Sequence, residues 1–374
     1  MAKLFIITGD YSGDIHAGRV AEILKQQKPD IEIEGIGGDN LRNAGVKLFA
    51  NQSKMGAVGL SPKIIIDHLT LGKRVVDYIT KEYKPDMVLL IDYGAFNLSI
   101  SKFLKKAGIK TFYYIPPQVW ASRKWRINTI KKNIDKVLCI FPFEENMYKS
   151  YGIETHYCGH PLVKQLPPKA DRDMFFEKHG LDKNKKLVSI FPGSREFELN
   201  NLMKPFIKAG NLLQEKHPDI QFCVSHAPNL SDEVYNKYLK HTNFKVIKGE
   251  NQALLSVSDS LILASGTVAL EAALYKIPMI IAYRGPWFFY LVYRLVRCID
   301  KVSLPNIILD RITVPELIQA KLTVKNIIKE TENNLYNEKI REKRIKDLSE
   351  VKALLSDKYS AQEVVSQILL ELDR

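Results

Sequence analysis

Acidic residues are in deficit in this chain. Forty-two aspartates and glutamates stand against 55 lysines and arginines in 374 residues, a formal net charge of +13. Cysteine is scarce too: Cys139, Cys158, Cys223 and Cys298 are scattered with no CxxC pair. That excludes a disulfide framework or zinc cluster and fits a reducing compartment. No apolar run approaches the roughly 20 residues that a membrane-spanning helix needs. Met1–Ile7 is too short for the apolar core of a signal peptide and runs straight into Gly9 and Asp10. GxGxxG and HExxH are missing and the eight histidines are dispersed, so neither the dinucleotide fingerprint nor a histidine-based metal motif is present.

What is present is ordinary globular composition, 45% hydrophobic and 26% charged, which rules out a disordered or collagen-like chain. At roughly 150 residues per domain, the length fits about two domains. The basic excess asks for an anionic partner: nucleic acid, a membrane surface or a phosphorylated substrate. Arg123, Lys124, Arg126, Lys131 and Lys132 form one basic segment, but no RNP, KH or helix-turn-helix signature accompanies it. A solvated helix face is the default there, and no nucleic acid is expected.

Short β-branched runs alternate with helical stretches. Leu4–Ile7, Ile31–Ile36, Met87–Ile91, Thr111–Ile115 and Lys136–Ile140 read as strands, with helices over Gly13–Gln27, Lys63–Glu82, Asn97–Ala107 and Ser122–Asn133 between them. Gly159-His160-Pro161 and Leu166-Pro167-Pro168-Lys169 interrupt the pattern as a linker. The alternation then restarts, with strands at Leu187–Phe191, Gln221–Ser225, Phe244–Ile247, Ser260–Leu263 and Met279–Ala282. From Val314 onward the pattern reads as all helical, Lys339–Lys346 being a solvated face. The chain is therefore α/β, two Rossmann-like doubly wound parallel sheets facing a central cleft, with ligand at the carboxyl ends of the strands. The expected domains are 1–165, 166–355 and a terminal helix, 356–374, packing back on the first domain or on a partner chain.

Three βα turns carry chemistry. In Thr8-Gly9-Asp10-Tyr11-Ser12-Gly13-Asp14, Gly9, Ser12 and Gly13 leave amide N–H groups at a helix N-terminus, and His16 follows within a turn. A capped tight turn explains this segment as well. In Phe191-Pro192-Gly193-Ser194-Arg195-Glu196, Gly193 and Ser194 present amides to a phosphate and Arg195 adds a forked cation. In Leu263–Glu271, Ser265, Gly266 and Thr267 form a second cradle, and Glu271 lies one helical turn beyond Thr267, placed for ribose hydroxyls. Two cradles in one half favour a nucleotide diphosphate over two coincidental caps. A departing diphosphate would be met by Arg195, helix dipoles and amides in place of a divalent cation. Trp287, Phe288 and Phe289, with Arg284, Arg294, Arg297 and Lys301 around their aromatic stretch, suit a lipid headgroup region, with core packing as the alternative.

These segments, with Ile91-Asp92-Tyr93-Gly94-Ala95-Phe96-Asn97, Pro116–Trp120, Phe141–Glu144, Gly159–Leu162 and Ser303-Leu304-Pro305-Asn306, make an ordered set. In it the chain resembles, almost end to end, the lipid A disaccharide synthases, inverting glycosyltransferases of GT-B architecture. The resemblance implies transfer of 2,3-diacylglucosamine from UDP-2,3-diacylglucosamine to the 6-hydroxyl of 2,3-diacylglucosamine 1-phosphate. The products would be a β-1,6 disaccharide 1-phosphate and UDP, with inversion and with no metal or other cofactor. It also implies a nucleotide site in the second half, at Gly193, Ser194, Arg195, Ser265, Gly266, Thr267, Glu271 and Asn306, and an acceptor on the first half. A cytoplasmic enzyme held peripherally on the anionic inner-membrane surface is expected, and a homodimer is one arrangement left open. Two positions depart from the family pattern. Some members carry D-A-P-D-F-N, whose second aspartate is Ala95 here, and the first family glutamate is Asp10. The base is therefore sought at Asp92 first, then at Asp14 and His16. The competing readings are a UDP-N-acetylglucosamine 2-epimerase-like enzyme and a non-enzymatic basic binding module.

Overall fold

The computed structural model describes residues 1–52, 62–264, 266–286 and 300–373. Ser265, Trp287, Phe288, Phe289, Arg294 and Arg297 lie outside the described residues. The chain divides into two units, one of Met1–Pro161 with Leu355–Arg374 and one of Leu162–Leu354.

The first unit holds seven strands: β1 (Lys3–Ile7), β2 (Glu32–Gly37), β3 (Lys47–Asn51), β4 (Met87–Ile91), β5 (Lys110–Tyr114), β6 (Lys136–Cys139) and β7 (Thr155–Tyr157). Their order is β3-β2-β1-β4-β5-β6-β7 and every pairing is parallel. The sequence itself demands this. Met-Val-Leu-Leu-Ile of β4 is apolar at every position, as a strand covered on both faces must be, and all five residues are fully buried. The strand order reverses between β1 and β4, so the loops leaving those two strands diverge to opposite sides and open a crevice at their carboxyl ends.

The second unit repeats the design with β8 (Lys186–Phe191), β9 (Ile220–His226), β10 (Lys245–Lys248), β11 (Ser260–Ala264), β12 (Met279–Tyr283) and β13 (Glu316–Ile318). The order β10-β9-β8-β11-β12-β13 is again all parallel and reverses between β8 and β11. Both doubly wound sheets expected from the alternation are present.

Three strands went unread. β3, β7 and β13 are edge strands of three to five residues, and none of them is buried at every position, so none carries the continuous apolar run of a central strand. β13 also corrects the expectation that everything beyond Val314 is helical. The helix expected over Lys63–Glu82 runs from Pro62 to Asp77 and continues as a π-helical turn over Tyr78–Tyr83. The terminal helix, Ser360–Leu372, lies on the first unit. It buries Val364, Val365 and Ile368, while Ser360 Oγ meets Tyr114 Oη at 2.7 Å and Glu371 pairs with Lys110 at 2.7 Å.

Candidate active site

In the first unit the loops after β1 and β4 meet at the strand-order reversal. Asp10 ends the first loop as N-cap of the helix Tyr11–Gln27, its Oδ1 accepting from Gly13 N at 2.7 Å and Ser12 Oγ at 3.2 Å. Asp92 follows β4 directly, and both it and Tyr93 have left-handed backbones, with φ of 47° and 50°. Such conformations cost roughly 1–3 kcal/mol each in residues other than glycine and persist only where the surroundings impose them. Here the Asp92 carbonyl accepts from Tyr113 Oη at 2.7 Å and from Asn97 Nδ2 at 2.8 Å. Asn97 Oδ1 and Thr8 Oγ1 nearby are buried without a hydrogen-bond partner among the described residues.

The turn places the Asp92 carboxylate within electrostatic reach of Asp10. Burial first, and the negative charge of Asp10 second, push its pKa up to about 6, against a 2.8 Å bond from Tyr93 N that favours the ionised form. The Tyr93 ring lies flat against Gly9, where a β-carbon would stand 2.3 Å from ring carbons, so only glycine fits. Tyr93 Oη is hydrogen-bonded to His68 Nε2. His16 packs edge-on to Tyr114, its ring centroid 6.2 Å away. Burial outweighs the pull of Asp10 and lowers its pKa, so the imidazole is neutral at pH 7. His160 is driven lower still, to about 3, by burial and by His16.

Asp14 is corrected. It is 1% exposed, and its two oxygens accept from Gly38 N (2.6 Å), Leu41 N (3.2 Å), Asn40 N (2.9 Å) and Asn40 Nδ2 (2.9 Å). Four donors saturate both oxygens, so Asp14 anchors the loop after β2 and holds no lone pair for a substrate hydroxyl. Ala95 is exposed in the first turn of the helix Gly94–Lys106, one turn from Asp92.

Sequence reading missed Glu144, the last residue of the Phe141–Glu144 segment as a functional group. Fully buried, it accepts from Trp120 Nε1 at 2.8 Å through one oxygen and from Phe141 N (3.2 Å) and Ile140 N (3.3 Å) through the other. Burial raises its pKa to about 7 against those three donors. Glu144 thereby ties the Pro116–Trp120 loop to the end of β6. The pairing of the two segments had no local signal, because 24 residues separate the partners.

In the second unit, the loop after β8 turns at Gly193, whose φ is 106°. Its amides are already engaged: Glu198 Oε2 accepts from Ser194 N at 2.9 Å and Arg195 N at 3.2 Å. A β-carbon on Gly193 would stand 2.1 Å from that oxygen. The Ser-Arg-x-x-Glu spacing is a capping pattern at the head of the helix Glu196–Lys216 and was legible in the sequence. The Arg195 side chain is 80% exposed, 3.6 Å from Glu198. Beside this loop, after β11, Gly266 and Thr267 lead into the helix Val268–Tyr275; a β-carbon on Gly266 would meet open space. Glu271, in that helix's first turn, is mostly buried. Burial raises its pKa against a hydrogen bond with Gln252.

Asn306 is also corrected. It is fully buried, with Oδ1 accepting from Thr313 N (2.7 Å), Thr313 Oγ1 (2.7 Å) and Val314 N (2.9 Å). Its Nδ2 donates to Val314 O (2.9 Å) and Glu316 Oε1 (2.8 Å). Every polar atom of the amide is spent on holding the Ser303–Glu316 segment together, and none is left for a nucleotide.

Comparison with known proteins agrees with this layout. The family model for lipid-A-disaccharide synthetase matches residues 4–369. A lipid-A-disaccharide synthase of Coxiella burnetii is 36% identical over 310 residues, 82% of this chain and 81% of the relative. One from an Anaeromyxobacter species is 33% identical over 371 residues, 98% and 97% of the two chains. Among solved structures, the UDP-GlcNAc 2-epimerase of Neisseria meningitidis, bound to UDP-GlcNAc, superposes with a TM-score of 0.67 at 15% identity, covering 98% of this chain and 100% of the other. The Staphylococcus aureus protein MnaA, solved with UDP, gives 0.69 at 15% identity over 100% and 97%. At that identity the likeness concerns the fold alone, which is the GT-B one. The family match spans nearly the whole chain and the relatives exceed 30% identity over most of it, so this chain belongs to the lipid-A-disaccharide synthetase family of glycosyltransferases.

Proposed function

We propose that this glycosyltransferase moves 2,3-diacylglucosamine from its UDP derivative to the 6-hydroxyl of 2,3-diacylglucosamine 1-phosphate, with inversion at the anomeric carbon. Asp92 is the general base. The carboxylate must be ionised to take the hydroxyl proton, and a pKa near 6 leaves it mostly ionised at pH 7 while making it a stronger base than an ordinary aspartate. The placement of Asp92, on a left-handed turn at the carboxyl end of β4 that Asn97 and Tyr113 fix and that packs against the Gly9–Asp10 loop, is the observation that carries the reading, and its raised pKa agrees with it. It also accounts for Ala95, since the base role does not need a carboxylate there. Asp10 keeps the Asp92 proton affinity high, and Gly9, Ser12 and Gly13 shape the acceptor loop around it. His16 is neutral at pH 7 and can accept or donate a hydrogen bond to the acceptor.

The donor's diphosphate lies against the second unit, on Gly193, Ser194 and Arg195 and on the Ser265-Gly266-Thr267 turn, with Glu271 toward the ribose. As UDP departs, the developing charge is met by two helix N-termini and the Arg195 guanidinium, and by the Ser194 and Arg195 N–H groups once Glu198 releases them, with no metal. Among the described residues no group of three or more His, Cys, Asp or Glu is placed to hold a metal ion. No helix among them is long and apolar enough to cross a membrane. The diacylated substrates and the +13 charge support peripheral binding on the cytoplasmic face of an anionic inner membrane.

The test is turnover with both diacylated sugars, with chelator and no added metal. Formation of the disaccharide 1-phosphate and UDP is expected, and Asp92→Asn should abolish it while UDP affinity holds. Epimerisation of UDP-N-acetylglucosamine without disaccharide formation would overturn the assignment, and full activity of Asp92→Asn would remove the base.

A further inference from the structure

The second unit contains a cavity of about 520 Å³ away from the loops just described. Its apolar wall is Leu166, Pro167 and Leu274, and three lysines, Lys169, Lys276 and Lys352, line it as well. The helix Val268–Tyr275 begins beside the carboxyl end of β11 and ends at Lys276, three residues before β12. The cavity therefore lies toward the opposite edge of the sheet from the Gly193 and Gly266 turns.

The cavity is built from fixed parts. Tyr275 Oη donates to Pro167 O at 2.8 Å, bracing the diproline segment against the helix end. Ala170 N donates to Ser256 Oγ at 3.0 Å, fixing the backbone on the other side of Lys169. Lys276 has the left-handed backbone of a helix C-cap, with φ of 62°. Neither Lys169 nor Lys276 has a carboxylate within ion-pair distance among the described residues, whereas many other lysines of this chain do. Burial, then the charges of Lys352 and Lys276, lower the Lys169 pKa, the mark of cations that repel one another. Neither the candidate active site nor the helix cap uses the ammonium groups of Lys169 and Lys276.

We propose that this cavity is an anion site for a phosphate monoester, with Lys169 and Lys276 on the phosphate oxygens, the Lys352 charge beside them and Leu166 and Leu274 against its organic part. Clustered cations match a dianion better than they match a single carboxylate, and Lys169 and Lys276 can each donate to a terminal oxygen while Lys352 adds positive charge beside them. The apolar wall gives an amphiphilic phosphate an advantage over free phosphate. Nothing here depends on the active-site reading.

The test is calorimetric titration of the full-length protein at low ionic strength with four probes: inorganic phosphate, dihexanoyl phosphatidic acid below its micellar concentration, dihexanoyl phosphatidylcholine, and acetate. Phosphatidic acid should bind about tenfold or more tighter than acetate or phosphatidylcholine. Phosphatidic acid binding tighter than inorganic phosphate identifies a lipid phosphate; equal affinity identifies a soluble one. Lys169→Ala/Lys276→Ala should lose that binding about tenfold or more while UDP binding stays unchanged. The Arg/Arg double variant should retain it. No saturable binding of either phosphate probe, acetate binding as tightly as phosphate, or unaltered binding in the Ala/Ala variant would each overturn the site.

Discussion

Asp92 makes the sharpest prediction, because the feature that suits it for catalysis must cost stability. Its pKa rises from 3.8 to about 6 on folding. Above pH 6 both folded and unfolded chains carry the charge, and the folded one bears the burial cost. At about 1.4 kcal/mol per pH unit, that cost is about 3 kcal/mol as an upper bound. Between pH 6 and 3.8 the folded state binds a proton that the unfolded state does not, so the cost fades as pH falls. Below 3.8 both are protonated and it vanishes. Asparagine has the shape of the protonated form, can still accept from Tyr93 N, and tolerates the left-handed backbone at this position. Asp92→Asn should therefore raise stability at pH 8 by up to about 3 kcal/mol, and leave it unchanged near pH 3.5. Urea denaturation at several pH values, followed on the first unit's tryptophans, measures the difference. In the wild-type enzyme, kcat/KM should fall as pH drops through about 6. Asp10→Asn should move that limb to lower pH without restoring an ordinary aspartate, since burial is the larger cause. An Asp92→Asn variant no more stable at pH 8 than the wild type, or a limb unmoved by Asp10→Asn, would refute the electrostatic account.

Other outcomes follow from the same contacts. Arg195→Ala should weaken UDP binding by about 10- to 100-fold in a calorimetric titration, the worth of a charge-assisted hydrogen bond. Glu198→Gln should tighten it severalfold, because glutamine keeps a helix-capping oxygen yet removes a negative charge from the amides meant for the diphosphate; weaker binding would place the diphosphate elsewhere. Glu144→Ala leaves the Trp120, Ile140 and Phe141 N–H groups unmet in the interior. It should lower stability by about 2–4 kcal/mol, with altered tryptophan fluorescence as the Pro116–Trp120 loop loosens. Asn306→Ala should cost about as much in thermal unfolding, and any loss of UDP affinity should disappear at temperatures where the variant is fully folded.

Composition, strand patterning and motif order were enough to give two doubly wound parallel sheets, the ends of their central strands and the family. The reason is local: a strand buried on both faces, such as Met87–Ile91, must be apolar throughout, and a turn that feeds amides to an anion must carry small residues such as Gly193. Edge strands are freer of that constraint: β3, β7 and β13 went unread, although the edge strand β10 was found. Residue roles escaped it too. Asp14, four residues from Asp10, is spent on the loop after β2, whereas Asp10 stays beside Asp92 across the strand-order reversal. Asn306 looked like a donor ligand and became an internal staple, while Glu198 and Glu144 went unnoticed although each holds a loop in place. A carboxylate or amide has the same local signal whether its lone pairs face a ligand or backbone N–H groups dozens of residues away. Only the packed chain decides which partner arrives first, because burial, repulsion and hydrogen bonding act across distances in space that the sequence order does not record.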